Sequence, residues 1–327
     1  MNDVKIGTRG SKLALSQTQQ ITEKLTAVGG FTAQIVPVKT EGDVLTGPLS
    51  QMGGTGVFAA RLRATLLDGG VDVAVHSLKD LPTAATPGLV IAAVPVRVDA
   101  RDALCSRENL VLSELATGAR VGTGSPRRAA QLLSIRPDLV IVDIRGNVET
   151  RLGRVPGLAG NVDAPVVEGK SGDLDAVVLA AAGLSRIGRL DAVSEFLDPD
   201  VMLPAPGQGA LALECRSEDA QLTNVLGQAL AALDDHDTRL AVTAERALLA
   251  RLEAGCSAPV GAFAFRKGSM LYLESVVCSL DGVHSLRLKR ATDGLTTVGA
   301  TLLGIELAEE LLAGGVADFA DLAGSAK

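Results

Sequence analysis

Flat rings are scarce in this 327-residue chain, which has six Phe, one Tyr and no Trp. So few aromatics leave almost no platform on which bases could stack, and a formal net charge of −7 offers a phosphate backbone no general attraction. No nucleic-acid partner is expected. Histidine is nearly as thin: His76, His236 and His284 show no metal-ligand spacing, and Cys105, Cys215, Cys256 and Cys278 form no CxxC pair. No metal site is expected either. The chain has no apolar run of about 18 residues and no basic-then-apolar leader, so neither a membrane span nor export is expected, and it reads as cytoplasmic. A GxxxxGK[ST] loop is missing, and Gly122-Thr123-Gly124 lacks the third glycine of a dinucleotide fingerprint.

What is present is an α/β rhythm. A hydrophobic content of 47% with 21% charged residues suits a globular protein, and the length predicts two or three domains. Residues 4–8 read as a strand, followed by a helix with Ser11 as N-cap and an apolar stripe of Ala14, Ile21, Leu25 and Val28, closed by Gly29-Gly30. A strand at 31–38, a helix carrying Phe58, Leu62 and Leu66, and a strand at 71–75 complete β-α-β-α-β, which predicts a largely parallel sheet. The charged stretch 96–102 reads as a hinge to a second such series. That series holds a strand at 120–122, a helix capped by Ser125 with Pro126 at its first position, a strand at 139–143, a short helix from Asn147 and a strand at 175–179. Residues 154–173, punctuated by Gly and Pro, read as an irregular excursion. After Pro204-Ala205-Pro206-Gly207-Gln208-Gly209 and a strand at 210–215, helices near 218–233 and 236–253 precede three strands and a last helix. With Asp281-Gly282 as a hairpin turn, this predicts an α+β unit with an antiparallel sheet.

Polar groups collect where the strands end. The strand at 71–75 runs into His76-Ser77-Leu78-Lys79-Asp80-Leu81-Pro82, which puts a carboxylate beside an ammonium at the sheet edge where α/β proteins bind ligands. Thr8-Arg9-Gly10-Ser11 and Gly122-Thr123-Gly124-Ser125-Pro126-Arg127-Arg128 each set hydroxyls, backbone N–H groups and guanidinium forks at a helix start. Arg145-Gly146-Asn147-Val148-Glu149-Thr150-Arg151 is a third such turn. Taken singly, an arginine at a strand end is more often surface solvation. Recurrence in two successive α/β units points instead to a shared cleft for a polycarboxylated ligand. Cys256, between Gly255 and Ser257 after a helix, reads either as a small buried hydrophobe or as a nucleophile or attachment point. Cys105, Cys215 and Cys278 lie in apolar strand-like runs and read as structural.

In their order along the chain these stretches, together with Gly7 to Ala14, Pro204 to Gly209 and Leu252-Glu253-Ala254-Gly255-Cys256, resemble the porphobilinogen deaminase (hydroxymethylbilane synthase) family. The resemblance spans nearly the whole chain. It implies a transferase of tetrapyrrole and heme synthesis that joins four porphobilinogen molecules head to tail with loss of ammonia and releases linear hydroxymethylbilane. It also implies two type II periplasmic-binding-protein-like α/β domains, 1–97 with 199–216 and 98–198, and a smaller α+β domain at 217–327. The cofactor implied is dipyrromethane, held as a thioether at the residue matching Cys256, and the essential carboxylate matches Asp80. Contacts to cofactor and substrate match Arg9, Ser11, Gln17 and Lys79 on one side. On the other they match Thr123, Ser125, Arg127, Arg128, Arg145, Gly146 and Arg151, while Phe58 matches an aromatic covering the site.

Two departures from the family pattern stand out: Thr55 and Ala60 occupy positions where many members carry Lys, leaving Arg61 and Arg63 as substitutes, and the 154–172 excursion is long. The competing readings are a non-catalytic bilobal binder of a carboxylated molecule, which would need neither Asp80 nor Cys256, and a bilobal regulator, which would need a DNA-reading helix. The substrate is the only partner implied, and a monomer is expected.

Overall fold

The computed structural model describes residues 3–38, 57–159, 172–255 and 258–322. In chain order the first elements are β1 (Val4–Arg9), α1 (Lys12–Gly29), β2 (Ala33–Val38), α2 (Val57–Leu67), β3 (Val73–Ser77) and β4 (Leu89–Ala93). The next are β5 (Asp102–Ser106), β6 (Arg120–Gly122), α3 (Pro126–Ile135), β7 (Val140–Val142), α4 (Val148–Leu152), β8 (Ala176–Ala180), α5 (Ala181–Arg186) and β9 (Glu195–Leu197). The chain then returns as β10 (Leu211–Arg216) and α6 (Val225–Leu233). It ends in α7 (His236–Arg251), β11 (Val260–Lys267), β12 (Met270–Cys278), β13 (Ser285–Thr292), α8 (Thr297–Ala313) and α9 (Val316–Phe319).

Two five-stranded sheets share one plan. The first has the order β2-β1-β3-β10-β4 and the second β7-β6-β8-β5-β9. In each, the three leading strands pair in parallel and the fourth runs antiparallel to both neighbours. The sheets are therefore mixed, and in both the reversed strand adjoins a crossover between them. The third sheet, β11-β12-β13, is antiparallel throughout, and Gly282 at φ 74 makes the second of its hairpin turns.

The strand read at 71–75 is β3, and the segment is covered on both sides. Val73 and Val75 pack with Ile6, Ile21 and Leu25, while Val71 and Ala74 pack with Leu62 and Leu66 of α2. Burial of each such leucine contributes about 1.5–3 kcal/mol. Helix α1 forms as its signals predict: the Ser11 hydroxyl accepts from the Ala14 amide at 3.2 Å and Gly30 closes the helix with φ 63. Val28, expected on the apolar stripe, is instead 54% exposed.

Helix α6, which the sequence reading counts with the third unit from residue 217, buries Ala229 and Leu230 beside Ile21 and Leu25 of α1. A separate core takes Leu240, Ala244 and Leu248 of α7 with residues of β11, β12 and α8. In the stretch 96–102, read as a hinge, Arg97 pairs with the fully buried Glu245 at 2.6 Å and Asp102 is fully buried at the start of β5, while Val96 and Val98 are exposed. The two crossovers lie backbone against backbone at Gly209, where a Cβ would meet the Val98 carbonyl oxygen at 2.7 Å. The part of the 154–172 excursion between 160 and 171 lies outside the described residues, and its two ends are tied by Arg154 and Asp173, with Nε to Oδ1 at 2.8 Å. No described helix is long and apolar enough to cross a membrane.

Candidate active site

The carboxyl end of β3 supplies the centre. After Ser77 the chain makes one 3-10 turn, Leu78–Asp80, with Leu78 fully packed and its amide donating to Ala210 O at 3.1 Å. Anchoring Leu78 inward turns Lys79 and Asp80 toward a pocket of about 110 Å³. Arg9, Ser11, Gln17 and His76 line the same pocket, so the first-strand turn and the His76–Pro82 stretch meet as their sequence positions predict. Asp80 is exposed. Lys79 is not: burial pushes its ammonium down to about 8, Arg128 and Arg127 push the same way, and Asp80 and Asp102 oppose them. Its Nζ donates to Gln208 Oε1 at 3.4 Å.

The second sheet contributes the positive charge. Gly124 lets the β6 turn approach the β7 turn, since a Cβ there would lie 2.6 Å from Ile144 O. Asn147 caps α4 by accepting from the Thr150 amide at 2.8 Å, and Gly146, at φ 104, accepts from Arg151 Nε at 2.8 Å. Burial lowers Arg151 to about 10, with Arg128 and Arg145 lowering it further and Asp143 opposing. Arg151, with Arg128 and Arg145 near it, is left short of a counter-charge at the strand ends, which suits an anion, although Arg145 lies 3.6 Å from Asp143. Ser125 stands at the N-cap of α3 but makes no capping bond, so its hydroxyl is not spent on the helix as the sequence suggests; its amide donates to Thr123 Oγ1 at 3.2 Å.

Arg127 and Arg128, which the resemblance assigns to cofactor and substrate, are both buried and hold Asp102: Arg127 Nη2 lies 2.8 Å from Oδ2, and Arg128 Nη2 lies 2.7 Å from Oδ1. Arg127 Nη1 also donates to Leu203 O at 2.6 Å and Arg128 Nη1 to Val178 O at 3.1 Å. Burial alone would raise the Asp102 carboxyl, but the two guanidinia override it and hold the group well below the usual carboxylate range. Gln208 Nε2 donates to the same Oδ1 at 2.8 Å, which completes a chain from Lys79 through Gln208 and Asp102 to the arginine pair.

Asp102 and Gln208 escape the sequence reading because their partners lie far along the chain. Arg186 escapes it too. It ends α5, donates to Gly209 O at 3.0 Å, and is lowered to about 10 by burial alone. Arg63, read as a substitute for a missing lysine, is spent elsewhere: its Nη2 pairs with the buried Glu214 at 2.8 Å. His76 Nε2 lies 3.2 Å from the other oxygen of that carboxylate.

Cys256, Thr55 and the side chain of Phe58 lie outside the described residues. Beside Cys256, the Gly255 amide donates to Leu322 O and the Ala258 amide to Gly255 O, each at 3.0 Å. Cys105, Cys215 and Cys278 are buried, and burial raises their thiols to about 12, 12 and 11. Among the described residues, no group of three or more His, Cys, Asp or Glu could hold a metal ion.

Comparison with known proteins bears on this arrangement directly. Residues 4–224 match the family model described as porphobilinogen deaminase, dipyromethane cofactor binding domain, and residues 239–313 match porphobilinogen deaminase, C-terminal domain. The porphobilinogen deaminase of Micrococcus luteus is 54% identical over 93% of this chain and 85% of its own length. That of Cutibacterium acnes is 51% identical over 99% of both. Among solved structures, a periplasmic substrate-binding protein of an ABC transporter from Coxiella burnetii aligns over 70% of this chain and 91% of its own, at 17% identity and a TM-score of 0.42. Near-complete coverage at half identity, with both family models matched in order, places the chain in the porphobilinogen deaminase family.

Proposed function

We propose that this enzyme joins four porphobilinogen molecules head to tail with loss of ammonia, releases linear hydroxymethylbilane, and builds the product on a dipyrromethane primer bound through a thioether to Cys256. The observation that carries the reading is the pairing of the exposed Asp80 with clustered cations: Lys79 beside it, and Arg128, Arg145 and Arg151 at the second sheet. Porphobilinogen bears an acetate and a propionate arm, so each added unit brings two carboxylates into a protein that is acidic overall. The guanidinium group at the ends of β6 and β7, with Ser125 and Thr123, suits those arms. Arg9, Ser11 and Gln17 suit the arms of the unit held near Asp80.

Arg151, desolvated and repelled by Arg128 and Arg145, fits a cofactor carboxylate better than it fits its arginine neighbours. When bound, such a primer supplies the acceptor pyrrole for the first coupling. Asp80 meets the positive charge that develops on the substrate as ammonia departs, and it accepts hydrogen bonds from pyrrole N–H groups. Lys79 neutralises a neighbouring carboxylate. A covalent tether makes every coupling intramolecular and prevents loss of short chains. The lobes we infer are residues 1–97 with 199–216 and α6, residues 98–198, and a third unit from α7 onward. The sheet plan and the separate cores support this division.

The intact mass of the purified active enzyme tests the tether. It is expected to exceed the sequence mass by two pyrrole units, with the excess absent in Cys256→Ser. Active enzyme of unmodified mass would exclude the tether and leave the family assignment standing.

A further inference from the structure

We propose that the cavity where the two crossovers meet the C-terminal unit is a binding site for a flat aromatic carboxylate, separate from the site beside Asp80. The cavity encloses about 430 Å³, within the range of small-molecule pockets. One wall is residues 97–101 of the first crossover, a second is Pro199 and Pro204 of the second crossover, and a third is Thr238 and Ala241 of α7. Its lining residues and those of the pocket beside Asp80 do not overlap.

The chemistry of the lining selects the ligand. Phe263 and Phe265 stand on one face of β11 with ring centroids 5.7 Å apart, and Phe265 stacks on Tyr272 at 5.4 Å. A chain with seven Phe and Tyr residues thus places three of them in one stack, two of which line this cavity. Both lining rings are only half-buried; the Arg97 guanidinium lies over Phe263 at 5.2 Å and the Lys289 ammonium over Phe265 at 5.4 Å, so a guest ring meets the edges that the stack leaves exposed. Around them are three guanidinia, Arg97, Arg101 and Arg266, against two carboxylates, Asp99 and Asp237. Arg97 is committed to the buried Glu245. Arg101 and Arg266 are held by the exposed Asp99 and Asp237, at 2.7 and 2.8 Å. The Arg266–Asp237 pair is a single exposed contact and therefore weak, so a ligand carboxylate can take the place of Asp237 without stranding a buried charge, whereas Arg101 is held more firmly through Nε, Nη2 and its own amide.

An occupant would touch both crossovers and the C-terminal unit together. Its nearest wall, Arg101, is one residue from Asp102 and its grip on Arg127 and Arg128.

The test titrates the full-length, primer-loaded enzyme with 1-naphthoate in a calorimeter. One site per chain is expected, with a Kd on the order of 0.1 mM, unchanged in Asp80→Asn. Phe265→Ala removes an aromatic edge from the lining, and Val98→Trp fills the cavity from its exposed side. Each is expected to weaken binding at least about tenfold while leaving the turnover without naphthoate as it was; Phe265→Ala also lowers the melting temperature, because it removes two ring contacts. In turnover assays, naphthoate is expected to lower kcat at constant KM. Absence of saturable heat up to about 5 mM, an affinity unaltered in both cavity variants, or a rise in KM at constant kcat would each overturn the assignment.

Discussion

At the mouth of the first sheet, the turn after β3 leaves Asp80 exposed and Lys79 desolvated; at the mouth of the second, the turns after β6 and β7 gather Arg128, Arg145 and Arg151. Both mouths come from one strand plan, four strands in one direction and one reversed. Their charges are opposite in purpose. In the proposed function the second edge holds carboxylates, and the first carries an exposed acid, Asp80. Asp102, by contrast, is fully buried and surrounded by two arginines and a glutamine. The same side chain serves as a reagent at one position and as a brace at the other because solvent and guanidinium forks are distributed differently around it.

Asp80→Asn breaks the comparison most severely. It keeps the shape and removes the charge, so kcat is expected to fall by about 10³-fold or more while primer loading survives in part, read by intact mass. Near-normal turnover would remove Asp80 from its proposed role. Asp102→Asn reverses the pattern. It strands two buried guanidinia and is expected to cost about 3–5 kcal/mol of stability, measured by urea unfolding, whereas Asp80→Asn leaves stability close to that of the parent.

The third prediction sharpens the difference through pH. Because burial pushes Lys79 down to about 8, the unfolded chain holds the proton that the folded chain loses between about 8 and the ordinary lysine value of 10.5. The folded state is thus penalised below 8, and this contribution to stability rises with pH across that window. Binding runs the other way, since the neutral amine no longer attracts a carboxylate. The prediction is that kcat/KM, which reports groups of the free enzyme, declines above pH 8 and that the decline flattens in Lys79→Gln. The smallest effect concerns the thiols. With their thiols raised to about 11 or 12, Cys105, Cys215 and Cys278 are expected to take no label from iodoacetamide at pH 7.5 until the chain is unfolded, as peptide mapping would show.

The sequence announces the strand-end turns clearly, because glycine, serine and a following helix cap leave local signatures: Ser11 on α1, Asn147 on α4, and the Leu78 anchor before Lys79-Asp80. It announces little about what holds the turns together. Asp102 reads as one more charge in a polar stretch until Arg127, Arg128 and Gln208 arrive from 25, 26 and 106 residues away. Arg63 looks available until Glu214 appears opposite it on β10. Helix α6 follows the last strand of the first sheet and precedes α7, so its sequence position fits either core; only the burial of Leu230 decides. Periodicity reports which face of an element is apolar, but not which neighbour covers it.

The position of β10 sets the order in which the protein can come into being. Strand β4 has no partner in its sheet except β10, and β10 is made only after all of the second sheet. On the ribosome, the second lobe can therefore close from contiguous chain while the first still waits, its edge open and its apolar rows uncovered. The lobe that begins first finishes later, and any factor that shields nascent chain would find its longest task there.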